Sequence, residues 1–127
     1  MRGRMAKIER FEDLQSWQKA RLLTNLVYDL TDLTEFAKDF RLRNQIRDAA
    51  GSVMHNIAEG FDSGSNPEFI RFMKMARRSG SEVQSQLYLA LDRQYITLEE
   101  LQKTYEIATE AKRLINGLIA YLRQHTT

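Results

Sequence analysis

The chain of 127 residues contains no cysteine, a single proline and six glycines. Without cysteine there is no disulfide framework, no thiolate metal site and no cysteine nucleophile. The shortage of proline and glycine argues against a turn-rich β architecture, whose tight reversals depend on those residues. An excess of one charge sign is also missing. Nineteen Lys and Arg stand against 17 Asp and Glu, a net of +2, which excludes a strongly basic nucleic-acid coat protein and an acidic disordered tail. No fully apolar run is longer than residues 118–122, far short of a membrane span. The charged start, residues 1–7, is not followed by an apolar stretch of signal-peptide length; Met5 is an alternative start to Met1. What remains is 43% hydrophobic residues, enough for one core in one domain. The expectation is a helical, cytoplasmic protein with no membrane partner, in which residues 1–10 form a basic arm and residues 11–125 the folded domain.

Hydrophobic period fixes the predicted secondary structure. Leu14, Trp17, Leu23, Leu26, Val27, Leu30 and Leu33 share a helical face, with Asp13 as the expected N-cap and Phe11 as a hydrophobic staple. The pattern lapses over residues 31–40, which predicts a connection. A second face, Leu42, Ile46, Ala49, Ala50, Val53 and Ile57, closes at Gly60, where a left-handed helix end is expected. Residues 61–67, Phe-Asp-Ser-Gly-Ser-Asn-Pro, form the strongest break in the chain. Ser65 or Asn66 can cap there, and Pro67 suits a first helical turn. A third helix carries Phe69, Phe72, Met73, Ala76, Gly80, Val83, Leu87, Ala90 and Leu91, and residues 94–96 connect it to a fourth. Thr97 and Glu100 read as a capping box ahead of Leu101, Tyr105, Ala108, Ile115, Leu118, Ile119 and Leu122. Four amphipathic helices with short connections predict an all-α fold, an antiparallel up-down four-helix bundle.

Such bundles host some enzymes, but the required residues are missing. A di-metal site needs paired Glu-x-x-His motifs, whereas the two histidines, His55 and His125, follow Ser52 and Leu122 at that spacing. His55 and Glu59 are one turn apart, yet His55 projects away from the Ile46/Ile57 face and reads as a surface residue. The nearest basic residue before His55 is Arg47, eight positions back, too far around the helix for the Arg–His arrangement of helical RNases. No nucleophile elbow is present, and Gly60 to Gly64 lacks the Lys-Ser/Thr ending of a phosphate loop. Catalytic residues, a cofactor and a metal are therefore not expected.

Two polar patterns remain. On the third helix Arg71, Lys74 and Arg78 lie opposite the core face with Arg77 to one side, and Arg43 and Arg47 share a side of the second. These six are the candidate phosphate contacts. Their plainer explanation is a solvated helix back, because residues 61–93 carry five positive and four negative charges. The second pattern flanks the core: Gln45, Ser52, Asn56 and Glu59 on the second helix, and Met75, Ser79, Glu82 and Gln86 on the third. Small polar and amide side chains at that margin serve packing between helices or assembly between chains. Ile70 and Leu89 also project away from the core, giving more apolar surface than a monomer needs.

The run Asn56-Ile57-Ala58-Glu59-Gly60, the opening Phe11-x-x-Leu14-x-x-Trp17-x-x-Ala20 and Gln45-Ile46-Arg47-Asp48-Ala49-Ala50-Gly51-Ser52 resemble motifs of the bacterial 23S rRNA intervening-sequence protein family of four-helix bundles. Glu68-Phe69-Ile70-Arg71-Phe72, followed by Ala76, Ser79, Glu82 and Gln86-Leu87, is similar to its third-helix pattern. The resemblance, over about residues 8–122, implies a closed ring, a homopentamer, without implying a settled activity. Related accessory proteins of diversity-generating retroelements form basic pentameric barrels associated with nucleic acid. Asp48 departs from the family pattern, where a basic residue is common. The resemblance also favours packing and assembly roles for Asn56, Glu59, Ser79, Glu82 and Gln86, with Glu59 or Glu82 pairing with Arg47 or Arg71 within or between subunits. Two functions stay open: a homo-oligomer that binds RNA or DNA through basic helix faces, or a structural ring that presents its surface to a protein partner.

Overall fold

A 3-10 turn (Phe11–Asp13) leads into α1 (Gln15–Thr31), α2 (Thr34–Lys38), α3 (Phe40–Phe61), α4 (Asn66–Asp92) and α5 (Leu98–Gln124). This is a computed structural model, and it describes residues 8–125. No strand occurs among the described residues. The predicted arm residues Arg2, Arg4 and Lys7 lie outside them, while Arg10 sits 3.9 Å from Asp13.

The four long helices pack in a ring, α1 on α3, α3 on α4, α4 on α5 and α5 on α1. Partners across each seam run in opposite order. Thr24 donates to the Ala50 carbonyl while Arg47 reaches forward to Thr31. Ser79 meets Ser52, Arg77 meets Asn116, Gln84 meets Thr109, and Lys19 pairs with Glu110. Leu23, Val27, Ile46, Val53, Ile57, Met73, Val83, Leu87, Ile115 and Leu122 are wholly buried between them. This core follows the predicted faces, except that Trp17, Leu26, Phe72, Leu91, Tyr105 and Leu118 are only half-buried and Leu33 is exposed. Gln84, also buried, donates to Thr109 (2.9 Å) and accepts from Lys112 Nζ (2.8 Å), which fixes the register of α4 against α5.

Three helix starts are set by side chains. Ser65 accepts from the Glu68 N–H with proline in the first turn of α4. Thr97 and Glu100 complete both bonds of a capping box at α5. Asp39 accepts from the Leu42 N–H at α3.

The start of α1 differs from the prediction. Asp13 does not cap it; the N-cap is Leu14, without a side-chain bond. The 3-10 turn turns Leu14 into the core, Phe11 packs edge-on against Trp17 at 5.2 Å, and Gln18 Nε2 donates to the Glu12 carbonyl. Burial of Leu14 and the aromatic pair thus replaces the missing cap.

The link at residues 31–40 is also more than a connection. Its short helix α2 drives Phe36 completely into the core, where it stacks on Tyr95 at 5.3 Å. The Tyr95 hydroxyl donates to Asp39 Oδ2 (2.9 Å), so the α1–α3 and α4–α5 connections lock together at one end of the bundle. Leu33, expected on the first core face, is exposed because α1 has already ended. Gly60 does not end α3 in a left-handed conformation either. It lies inside the helix, and a Cβ there would sit 2.8 Å from Phe72 Cβ and 2.9 Å from Phe69 Cδ1. Its role is close approach between α3 and α4; among the described residues the glycine with positive φ is Gly64, at +94°.

Candidate nucleic-acid interface

Arg71, Lys74 and Arg78 stand exposed on the outer face of α4, as the helical wheel predicts. Arg77 is turned toward α5, where its Nη1 donates to Asn116 Oδ1 at 2.7 Å. That contact reveals what the α4 sequence alone does not show. Antiparallel pairing sets residues 70–81 beside residues 111–124, and neither stretch contains an acidic residue. Lys112, Arg113 and Arg123 of α5 therefore join the four α4 cations on one half of the helical hairpin. Lys112 shares its ammonium with Gln84, while Arg113 and Arg123 are exposed. The other half is acidic, with Glu82 and Asp92 on α4 and Glu99, Glu100, Glu106 and Glu110 on α5, against Lys103. A net charge near zero thus conceals a polarised surface whose basic half can attract phosphate.

Glu82 and Glu110 border that half on one side and Glu68 on the other. Glu68 forms a forked pair with Arg71, Nη2 to Oε1 at 2.9 Å and Nε to Oε2 at 3.2 Å. The guanidinium beside it holds the Glu68 carboxyl below its ordinary value, and the carboxylate in turn raises Arg71. Both side chains are open to water, so the pair is weak and Arg71 can exchange it for a phosphate.

Arg43 and Arg47 do not join this surface. Arg47 donates from Nε to Thr31 Oγ1 (2.7 Å) and from Nη2 to Asp32 Oδ1 (3.0 Å), with its guanidinium 4.3 Å from the Tyr28 ring centroid. Arg43 reaches the Ala37 carbonyl and lies over Phe40. Both tie the α1–α2–α3 corner together. With Arg47 held by Asp32 and Arg71 by Glu68, the expected pairing of Glu59 or Glu82 with these arginines does not form within the chain.

The polar flanks of α3 and α4 do meet. Ser52 Oγ accepts from Asn56 Nδ2 and from the Ser79 hydroxyl, each at 2.9 Å. Gln45, Asp48, Ser52, Ser79 and Glu82 line a shallow cleft there of about 430 Å³. Glu59 lies in a neighbouring cleft with Asp62 and Glu68. The Oε1 of Gln86 is buried with no hydrogen-bond partner among the described residues. Of the two apolar residues expected to face outward, Leu89 is 49% exposed and Ile70 packs partly on the core.

His55 is exposed and sits beside Gly51. Among the described residues no three His, Asp or Glu side chains gather where they could hold a metal ion, and no described helix is long and apolar enough to cross a membrane.

Comparison with known proteins places this architecture. No curated protein matches the chain. A crystal structure of a protein with unknown function from the S23 ribosomal protein family of Bacteroides thetaiotaomicron VPI-5482 has a similar fold. Its TM-score is 0.76 and its identity 24%, over 83% of this chain and 95% of that one. The family model described as 23S rRNA-intervening sequence protein matches residues 12–117, from the turn before α1 into the basic half of α5. The chain belongs to the 23S rRNA-intervening sequence protein family.

Proposed function

We propose that this protein is a non-enzymatic, homo-oligomeric nucleic-acid-binding protein that holds the phosphates of RNA or DNA along the basic half of the α4–α5 hairpin. The observation that carries this reading is the acid-free pairing of residues 70–81 with residues 111–124. Lys74 and Arg78 are its centre, Arg77 and Lys112 hold it to the bundle, and Arg71, Arg113 and Arg123 extend it. A ring, a homopentamer by the family resemblance, repeats the patch around its circumference, so that several weak contacts act together. The exposed margin of the α3–α4 seam, along which Gln45, Glu59, Glu82 and Gln86 are spread, is the surface proposed for contact between subunits.

A second reading, a ring that recruits a protein partner, is favoured by Tyr88, Leu89 and Leu98. These are about half exposed, and they sit on the acidic half of the same hairpin. Size-exclusion chromatography with light scattering and dual-wavelength absorbance separates the two. The nucleic-acid reading expects an oligomer with excess absorbance at the nucleic-acid maximum, removable by nuclease or salt. A clean protein oligomer that captures no added RNA or DNA favours the scaffold, and a monomer contradicts the ring.

A further inference from the structure

The basic half of the α4–α5 hairpin is rich in charge and bare of open rings. Among the described residues the Phe, Tyr and Trp rings that stand open to water are Tyr28, Phe40 and Tyr88. All three lie toward the opposite end of the bundle, where Phe36 stacks on Tyr95. The rings at the basic end are covered. Phe61 and Phe69 pack edge-on in the core, Arg71 lies over Phe72 at 4.7 Å, and Tyr121 carries the His125 ring nearly parallel to its own at 4.1 Å. His125 is held in that position by its Nδ1, 2.8 Å from the Tyr121 carbonyl oxygen.

The cations, by contrast, are open and laid out in two rows. Arg71, Lys74 and Arg78 rise about 10 Å along the outer side of α4. Arg113 and Arg123 stand about 15 Å apart along α5, and packed helices of this kind have axes about 8–10 Å apart. Between the rows lie Ser81, Asn116 and Ala120, all exposed and all short. At Gly117 the α5 backbone itself is bare, and a Cβ built there would meet nothing within 4 Å. The face is therefore two rows of cations on rigid helices with a low floor between them.

We propose, resting on the phosphate-binding function above, that this face takes a double helix in preference to a single strand and grips it without regard to base sequence. A single strand held without sequence preference draws much of its affinity from bases stacked on aromatic rings. On this face its bases meet no open ring, and the flexible strand must still be ordered. A duplex has already stacked its bases, holds its phosphates in fixed rows and carries twice the charge per unit length. The short side chains between the cation rows do not reach into a groove, so the contacts position the duplex and do not read it.

Fluorescence anisotropy of the full chain at one low salt concentration tests this, with a labelled duplex and each of its separated strands, chosen free of self-pairing, as DNA and as RNA. The duplexes are expected to bind about tenfold or more tighter than either strand, and duplexes of unrelated sequence to agree within about threefold. Ala120→Trp sets a ring on the open floor between the rows, at an exposed helical position where the fold is unaffected. It should tighten the single strands about fivefold and so narrow the preference for duplex. Single strands that equal the duplex overturn the proposal while leaving the phosphate grip intact. So does a preference unchanged by Ala120→Trp, or discrimination of about tenfold between duplex sequences. Absence of binding to every one of these probes overturns both the proposal and the function on which it rests.

Discussion

Replacing Gly60 and, separately, Gly117 with alanine tests whether α3 and α4 approach as closely as the bundle requires. Both glycines are helical with ordinary φ, so each substitution gains about 1 kcal/mol of helix propensity. At Gly117 nothing lies within 4 Å of the new methyl, and that gain is the whole effect. At Gly60 the methyl would lie 2.8 Å from Phe72 Cβ and 2.9 Å from Phe69 Cδ1, well inside the 3.5–4.0 Å preferred by carbon pairs. The Phe69 ring can yield only against Phe61, on which it packs edge-on. The Phe72 Cβ cannot, because it is fixed to its backbone, so α3 and α4 must part by several tenths of an ångström. Overpacking of this kind costs about 1–3 kcal/mol, leaving Gly60→Ala destabilised by up to about 2 kcal/mol after the propensity gain. In urea unfolding followed by circular dichroism, with an m-value of about 1.5 kcal/mol/M, the midpoint falls by up to about 1.3 M for Gly60→Ala and rises by about 0.7 M for Gly117→Ala. Equal protein concentrations keep any assembly term constant. A rise in midpoint for Gly60→Ala matching that of Gly117→Ala would refute the close-approach explanation.

Phe36→Ala is expected to cost about 3–5 kcal/mol, because the ring is wholly buried and supports Tyr95; a loss below about 1 kcal/mol in the same assay would show that α2 only covers the bundle end. Ile57→Ala and Ile46→Ala should each cost about 2–5 kcal/mol, and Leu118→Ala less, because Leu118 is half-buried. The Asp39 carboxyl is held below its ordinary value near 3.8 by the Leu42 N–H, then by the Tyr95 hydroxyl and Arg93. A lowered carboxyl stabilises the fold fully above its unfolded value and loses that contribution as pH falls through the lowered one. Asp39→Asn should therefore trail the parent at neutral pH and converge with it below about pH 4 in acid unfolding; a constant gap down to pH 2 would contradict the assignment.

Much of the fold could be read directly from the residues because its signals are local. The Thr97–Glu100 capping box, Ser65 with Pro67, and the regular apolar spacing of α3 and α4 need no distant partner to be recognised. What escaped prediction depends on residues far apart in the chain. Phe36 is the one large apolar residue in a five-residue helix, too short for a period, and its stacking on Tyr95 helps make it core. Gly60 looked like a helix end because glycine's usual signature there is conformational, whereas here it is steric and comes from α4. Asp13 had the chemistry of a cap, but burial of Leu14 and the Phe11–Trp17 contact decided the geometry.

The candidate interface divides in the same way. The exposure of Arg71, Lys74 and Arg78 follows from angle alone. The fate of Arg47 did not, because Tyr28 belongs to α1 and Asp32 closes its end. Lys112, Arg113 and Arg123 were missed, although a signal existed in the acid-free stretch 111–124. It gains meaning only once the Arg77–Asn116 contact sets that stretch against residues 70–81.

The most direct test of the proposed function is the salt dependence of binding to a labelled single-stranded RNA and a duplex DNA, followed by fluorescence anisotropy. Each phosphate engaged contributes about −0.7 (single strand) or −0.9 (duplex) to the slope of log K against log salt. The expected slope is about −3 or steeper, and Lys74→Gln/Arg78→Gln should make it shallower by at least about 1.4 on RNA. Arg43→Gln, which changes a side chain off the basic half, should leave it as it is. Binding that is indifferent to salt, or a double variant with the parental slope, would contradict a phosphate grip by the α4–α5 hairpin.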